Sequence, residues 1–224
     1  MKISNIRKTF GDFSLQVEHI DFSAPKIYGI IGHNGCGKTT LAKIISGIMQ
    51  PDEGTIDLCG ISRQDITIIP KRPYMLHKSV LQNLVYPLKI RKTAPDSTTV
   101  ESYLQLAGLD KMRKSYARDL SGGETQKLGM IRAFIFSPKF IIVDEAFSNM
   151  DMESQITFEN QIAEIHRQKS TTFVIISHDL AIVKRLCAHI YFLEKGKIAA
   201  EGNVEQIFNE NQNEDLGKFL KYMT

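Results

Sequence analysis

Gly32-His33-Asn34-Gly35-Cys36-Gly37-Lys38-Thr39 is the stretch that decides the fold of this 224-residue chain. It fits G-x-x-x-x-G-K-[ST], a loop that cradles phosphate. The glycines let backbone N–H groups turn inward, Lys38 reaches the β- and γ-phosphates, and Thr39 offers a hydroxyl to Mg²⁺. A chance match somewhere in a chain this long has a probability of about 1%, and the flanks are those the mechanism needs. Upstream, KIYGII at Lys26–Ile31 is a short apolar run of the buried parallel-strand kind. Downstream, Thr39–Met49 carries Leu41, Ile44, Ile45 and Ile48 at helical spacing, with Pro51 and Gly54 closing the unit. Strand, glycine turn and helix in that order open an α/β fold. Gly32 through Thr40 are therefore the expected nucleotide-binding residues.

On the N-terminal side, Phe13, Leu15, Val17, Ile20 and Phe22 alternate loosely, which predicts strands with Gly/Asp turns as far as Pro25. From about Pro73 to Pro138 strand signals thin out. Leu81, Leu84, Val85 and Leu88 predict one helix, and Val100, Leu104, Leu106 and Leu109 a second. This reads as a helical insertion of roughly sixty residues in an α/β core. Strand signals resume at Phe140–Val143, Thr172–Ile176 and Ile190–Gly202, the last a hairpin around Lys195-Gly196. A mixed helix is expected near Asp151–Gln168, and the tail from Asn203 reads as helical and polar. No repeat, low-complexity tract or linker interrupts the chain.

Composition narrows the classes. With 28 Lys+Arg against 25 Asp+Glu the net charge is only +3, which gives nucleic-acid binding no support. Cys36, Cys59 and Cys187 are far apart, with no C-x-x-C pair, and read as free thiols of a reducing compartment. The N-terminus lacks the apolar core of a secretory signal, and no run of about 18 apolar residues is present. A soluble, intracellular protein is expected, reaching a membrane only through a partner.

Phe140-Ile141-Ile142-Val143-Asp144-Glu145 supplies the other half of a nucleotide site. An apolar strand ending in a carboxylate sets Asp144 at the sheet's C-terminal edge, where it can hold Mg²⁺ through water. Glu145 is placed to orient and polarise the attacking water. Alone, Asp-Glu after a strand is as readily a loop cap; the phosphate loop upstream decides for function. Leu120-Ser121-Gly122-Gly123-Glu124-Thr125-Gln126 admits two readings, a helix N-cap with glycines in the turn or an anion-binding nest.

Phosphate loop, helical insertion, LSGGE, then an apolar strand with Asp-Glu: that order, over essentially the whole chain, resembles the ATP-binding cassette ATPases. The resemblance implies one domain over 1–224. Its fold would be the P-loop ABC ATPase fold, a RecA-like core with an N-terminal antiparallel β region and a helical subdomain at about 73–138, before the signature. It makes Phe10 the aromatic that stacks on adenine, with Phe13 a weaker candidate, although composition alone would put either in the core. It makes Asp151 the acidic residue of a loop crossing to a partner subunit, and His178 a switch histidine on the γ-phosphate. It implies ATP and Mg²⁺ as ligands and two copies packed head to tail, Ser121, Gly122, Gly123 and Glu124 of one capping the ATP of the other. An integral membrane permease and, indirectly, an extracytoplasmic solute-binding protein are the further partners implied, with no nucleic acid, at the cytoplasmic face of the membrane.

The stretch KRPYMLHKSVLQNLVYPLKIRK is similar to that region of tungstate- and molybdate-type oxyanion importer ATPases. With the sequence stopping near Thr224, the C-terminal regulatory domain of some importer ATPases is not expected. An importer of another small solute, a soluble cassette ATPase of repair or translation, and a binding module with crippled hydrolysis are the alternatives.

One departure from the family matters most. Its glutamine after the strand Ile66–Ile69, in the loop coupling the site to the permease, is here Lys71. An ammonium about 4 Å from a metal is repelled by about 4 kcal/mol per unit charge at an effective dielectric of about 20. Lys71 is therefore expected to turn from the metal or to touch phosphate directly. Ala146 stands in place of a proline, loosening that turn, and Lys127 in place of an arginine.

Overall fold

In a computed structural model, residues 1–210 and 213–223 are described; Asn211, Gln212 and Thr224 of the expected helical tail lie outside them. The chain forms two compact units, one of Met1–Ile68, Lys139–Asp144 and Ile162–Thr224, the other of Ile69–Pro138 and Glu145–Gln161.

The first unit holds two sheets. β1 (Lys2–Phe10) and β2 (Phe13–Asp21) pair antiparallel about Gly11-Asp12, in register from Phe10–Phe13 to Lys2–Asp21. β3 (Ile27–Ile31) is buried throughout, and β4 (Glu53–Asp57) flanks β1 on its other side. Gly54, expected to end the preceding unit, instead lies inside β4, where a Cβ would come within 2.3 Å of the Asn5 carbonyl. β5 (Ile66–Ile69), β6 (Phe140–Asp144), β7 (Thr172–Ile176), β8 (His189–Glu194) and β9 (Lys197–Gly202) complete a six-stranded sheet in the order β5-β6-β7-β3-β8-β9. β3 is thus central, parallel to β7 and to β8, and its apolar run reflects burial on both faces. β8 and β9 form the expected hairpin, with Lys195 and Gly196 both at positive φ, as a type I′ turn requires. That turn is tied into the phosphate loop: Gly196 N–H donates to the Cys36 carbonyl at 3.1 Å.

α1 (Lys38–Ile45) buries Leu41, Ala42, Ile44 and Ile45 against Ile3, Leu15, Ile30 and Val174, joining both sheets in one core. It stops four residues short of Met49. Gly47 at φ +80° ends the turn, and Ile48, which fitted the helical spacing, is 66% exposed.

The second unit is helical. α2 (Val80–Ile90) begins with a Ser79/Gln82 capping box, α3 (Ser97–Leu106) is capped by Asp96, and α4 (Gly122–Phe134) begins at Ser121. Leu109, expected on the second helix, lies beyond its end and is buried in the following turn. α5 (Met152–Lys169) contributes its residues up to Gln161.

Back in the first unit, α6 (Leu180–Leu186) is capped by Asp179, and α7 (Val204–Phe208) and α8 (Glu214–Met223) follow β9. The tail is not simply polar, because Leu216 and Phe219 of α8 are fully buried. No helix among the described residues is long and apolar enough to cross a membrane.

Candidate active site

At the end of β3 the chain turns sharply at Gly32 (φ +151°), where an added Cβ would sit 2.0 Å from the Leu193 carbonyl. This glycine is dictated by the close approach of β8, a packing reason the motif alone does not reveal. Gly35 (φ +80°) is the opposite case, since its missing Cβ faces open space at the mouth of the loop. Lys38 is only 6% exposed, and its ammonium donates to the Gly32 carbonyl at 2.6 Å and the His33 carbonyl at 2.9 Å. A nearly buried cation held only by two carbonyls and, at 3.8 Å, the Cys36 sulfur is poorly compensated and fits an anionic ligand. Thr39 is exposed on the first turn of α1.

A cavity of about 490 Å³ adjoins the loop, lined by Phe13, Asn34, Gly35, Cys36, Glu194 and Lys195 among others. Phe13, the weaker aromatic candidate, lines it; Phe10 is 44% exposed at the end of β1, with the Lys8 ammonium 5.8 Å from its ring centroid. Two residues here escaped sequence reasoning. Glu194 has a buried Oε2 that accepts no hydrogen bond among the described residues, and Phe219 of α8 packs edge-on against His33 at 5.0 Å. An apolar Leu216/Phe219 pair three apart is the signal that marks α8 as a docked helix.

Asp144 is buried at the C-terminal end of β6, level with Ile176 of β7, which is itself level with Ile30 of β3. One strand separates it from the phosphate-loop strand, about 10 Å across the sheet. His178 follows β7 on the same edge and is exposed. No group of three or more His, Cys, Asp or Glu able to hold a metal occurs among the described residues. A hydroxyl and one carboxylate, Thr39 and Asp144, are nevertheless the hard-oxygen set that suits Mg²⁺ when phosphate oxygens and water complete its shell.

In the second unit Glu145 sits at φ +51°, a costly conformation for a non-glycine residue and one that recurs at functional sites. Its carbonyl accepts from Ser148 Oγ at 3.0 Å. Its Oε2 accepts from the Lys71 ammonium at 2.5 Å. The loop bearing Lys71 is fastened to α4 twice: Gln126 Nε2 donates to the Pro70 carbonyl at 3.2 Å, and a Cβ on Gly129 would lie 2.6 Å from Pro73 Cγ. Gln126 and Gly129 share a helix face at i, i+3, and neither role follows from the signature run by itself.

Ser121 acts here as a helix cap. Its Oγ accepts from Glu124 N–H; in return Ser121 Oγ at 2.7 Å and Ser121 N–H at 2.8 Å both donate to Glu124 Oε2, and these two bonds hold the Glu124 carboxyl below the usual range. Gly122 faces open space, and a Cβ at Gly123 would press the Asn149 carbonyl at 3.0 Å. Asp151 accepts from Ser154 N–H at 2.8 Å and from its Oγ at 2.7 Å, which lowers its pKa, and Lys127 stands 4.0 Å away. The structure thus groups the phosphate loop, Asp144 and His178 in one unit, and Lys71, Glu145, the signature residues and Asp151 in the other.

The profile of the ABC transporter family matches residues 15–148, more than half of the chain. The tungstate uptake system ATP-binding protein TupC of Peptoclostridium acidaminophilum is 37% identical over 203 residues, covering 88% of this chain and 95% of that protein. The methionine import ATP-binding protein MetN 1 of Bacillus thuringiensis is 30% identical, covering 98% and 70%. An ATP-binding subunit of an ABC transporter superposes with a TM-score of 0.83 at 22% identity, over 99% of this chain and 98% of its own. A dimeric ATP-binding cassette in a post-hydrolysis state with ADP and Pi gives 0.80 at 21%, over 91% and 98%, so the fold is shared as well. Matched by the family profile over more than half its length and by a relative 37% identical over 88% of it, this chain belongs to the ABC transporter family as one of its ATPases.

Proposed function

We propose that this ATPase powers a membrane importer, and that the cargo is an oxyanion, tungstate foremost. The observation that carries the ATP-handling part is the sunken Lys38 ammonium within an open, glycine-lined loop. The relative named for tungstate uptake, matched over nearly its whole length, favours the cargo. The methionine import relatives favour the second reading, an importer of another small solute.

In this reading the chain is a single cassette domain with a helical subdomain at about 73–138. Gly32 to Thr40 wrap the ATP phosphates, and Phe10, or alternatively Phe13, stacks on the base. Thr39 and Asp144 would hold Mg²⁺, which supplies neutralisation of phosphate charge. Glu145 takes the proton from the attacking water, and His178 contacts the γ-phosphate. Two copies pack head to tail. Ser121 then gives up its capping role and, with Gly122 and Gly123, meets the partner's γ-phosphate, and Asp151 meets the partner. Lys71 and the exposed Tyr74 lie on the loop that faces the permease, which binds the chain to the cytoplasmic face of the membrane and receives cargo from a solute-binding protein.

Co-purification of the tagged chain from detergent-solubilised native membranes tests this. A multi-span permease, whose solute-binding protein takes tungstate in preference to methionine, is the expected result. Capture of ribosomes or DNA without a permease would overturn the importer reading.

A further inference from the structure

We propose that Lys71 is a latch on Glu145, a positioning residue that holds the carboxylate out of hydrolytic geometry until its loop is displaced. The inference rests on Glu145 being the group that accepts the water's proton. Lys71 Nζ and Glu145 Oε2 are 2.5 Å apart, with the lysine side chain 52% exposed and the glutamate only 14%. The ammonium end of the pair thus stays open to salt, while a lone pair of Oε2 is committed to the ammonium.

Neither end drifts. The Lys71 backbone is pinned by Gln126 at Pro70 and by Pro73 against Gly129, and further along Asn83 accepts from Leu76 N–H at 2.9 Å. Glu145 springs from a left-handed turn whose carbonyl is held by Ser148, which fixes the backbone from which its carboxylate reaches Lys71. A neutral amide at position 71 would donate a hydrogen bond about half as strong as the charged one. Because Lys71 rides on the loop assigned to the permease, docking that moves this loop opens the pair and frees the carboxylate. Futile hydrolysis without a permease is thereby held down.

The test is steady-state ATP hydrolysis by the full chain at saturating Mg-ATP. Lys71→Gln is expected to raise kcat by about two- to fivefold, the range of a partly exposed ion pair, with KM for ATP unchanged. Lys71→Arg restores the wild-type rate. Raising ionic strength lifts the wild-type rate toward that of Lys71→Gln but leaves the variant where it is. A Lys71→Gln rate equal to or below wild type, or identical salt dependence in both, overturns the latch. Glu145→Gln is assayed beside them. Retained turnover there removes the proton-acceptor reading and the latch with it. Lost turnover there, with Lys71→Gln no faster than wild type, removes the latch alone.

Discussion

Asn83→Leu should cost this chain about 3 kcal/mol of stability, and the hydrogen-bond inventory says where that cost arises. Asn83 is fully buried in α2 and serves as the hub of the turn that precedes it. Its Nδ2 donates to the carbonyls of Leu76, Lys78 and Ser79, and its Oδ1 accepts from Leu76 N–H at 2.9 Å and Arg132 Nη1 at 3.3 Å. The three carbonyls each keep a second donor: Lys78 N–H for Leu76, Ala117 N–H for Lys78, and the backbone N–H of residue 83 for Ser79. The loss therefore falls on Oδ1. Leu76 N–H left buried without an acceptor costs about 1–3 kcal/mol, and a guanidinium bond about 1.5–3 kcal/mol. Leucine has the same number of side-chain heavy atoms, so apolar burial returns about 1–2 kcal/mol. Burial already depresses the pKa of Arg132 from its ordinary value, the mark of a cation that is partly desolvated. It follows that Arg132→Met should cost less in the Asn83→Leu background than in wild type, by at least about 1 kcal/mol. Urea unfolding followed by far-UV circular dichroism reads this, since the chain has no tryptophan. A cost below about 1 kcal/mol, or strict additivity of the two changes, would refute the hub argument.

Gly32→Ala forces a Cβ to 2.0 Å from the Leu193 carbonyl, so ATP affinity should fall by more than about tenfold, measured with a fluorescent nucleotide. Phe219→Ala removes a fully buried ring that touches His33 and Phe192; a loss of about 3–5 kcal/mol is expected, with faster amide exchange in the phosphate loop as well as in α8. Gly129→Ala overpacks against Pro73 and should destabilise by about 1–3 kcal/mol. Asp96 caps α3, and its bonds from Thr99 hold its carboxyl below the ordinary 3.8. A depressed folded-state pKa stabilises above the ordinary value and ceases to as pH falls through the lowered one. The melting temperatures of wild type and Asp96→Ala should therefore differ at neutral pH and draw together as pH falls below the ordinary value and through the lowered one.

What could be read from the residues was what depends on neighbours along the chain. β3, the glycine loop and the start of α1 are contiguous, so a local motif carries their geometry. The Lys195-Gly196 turn is equally local. The end of α1 is not legible because apolar spacing continues to Ile48, whereas the backbone is already released at Gly47. The apolar side of the helical tail is hidden for the converse reason. Two buried side chains in a polar helix of about ten residues barely alter its average character, yet Leu216 and Phe219 are what dock it.

The parts of the candidate site that could not be read are those joined across the sequence. Lys71 and Glu145 are 74 positions apart, and sequence offered only a departure from a family habit, with repulsion from a metal as its consequence. The same electrostatics has another solution in the structure: an ammonium excluded from a cation finds a carboxylate instead. Because that carboxylate is the one proposed to do the chemistry, the substitution at 71 acts on the reaction without touching any phosphate-handling residue. Ser121 makes the complementary point. Its hydroxyl serves as a helix cap, bonded to Glu124, and in the proposed head-to-tail pair the two readings of the signature run would be successive states and not rivals. A capping box gives up only about 1 kcal/mol when its serine turns outward, a cost that a partner's γ-phosphate, accepting from that hydroxyl and from the N–H groups of the same helix start, readily exceeds.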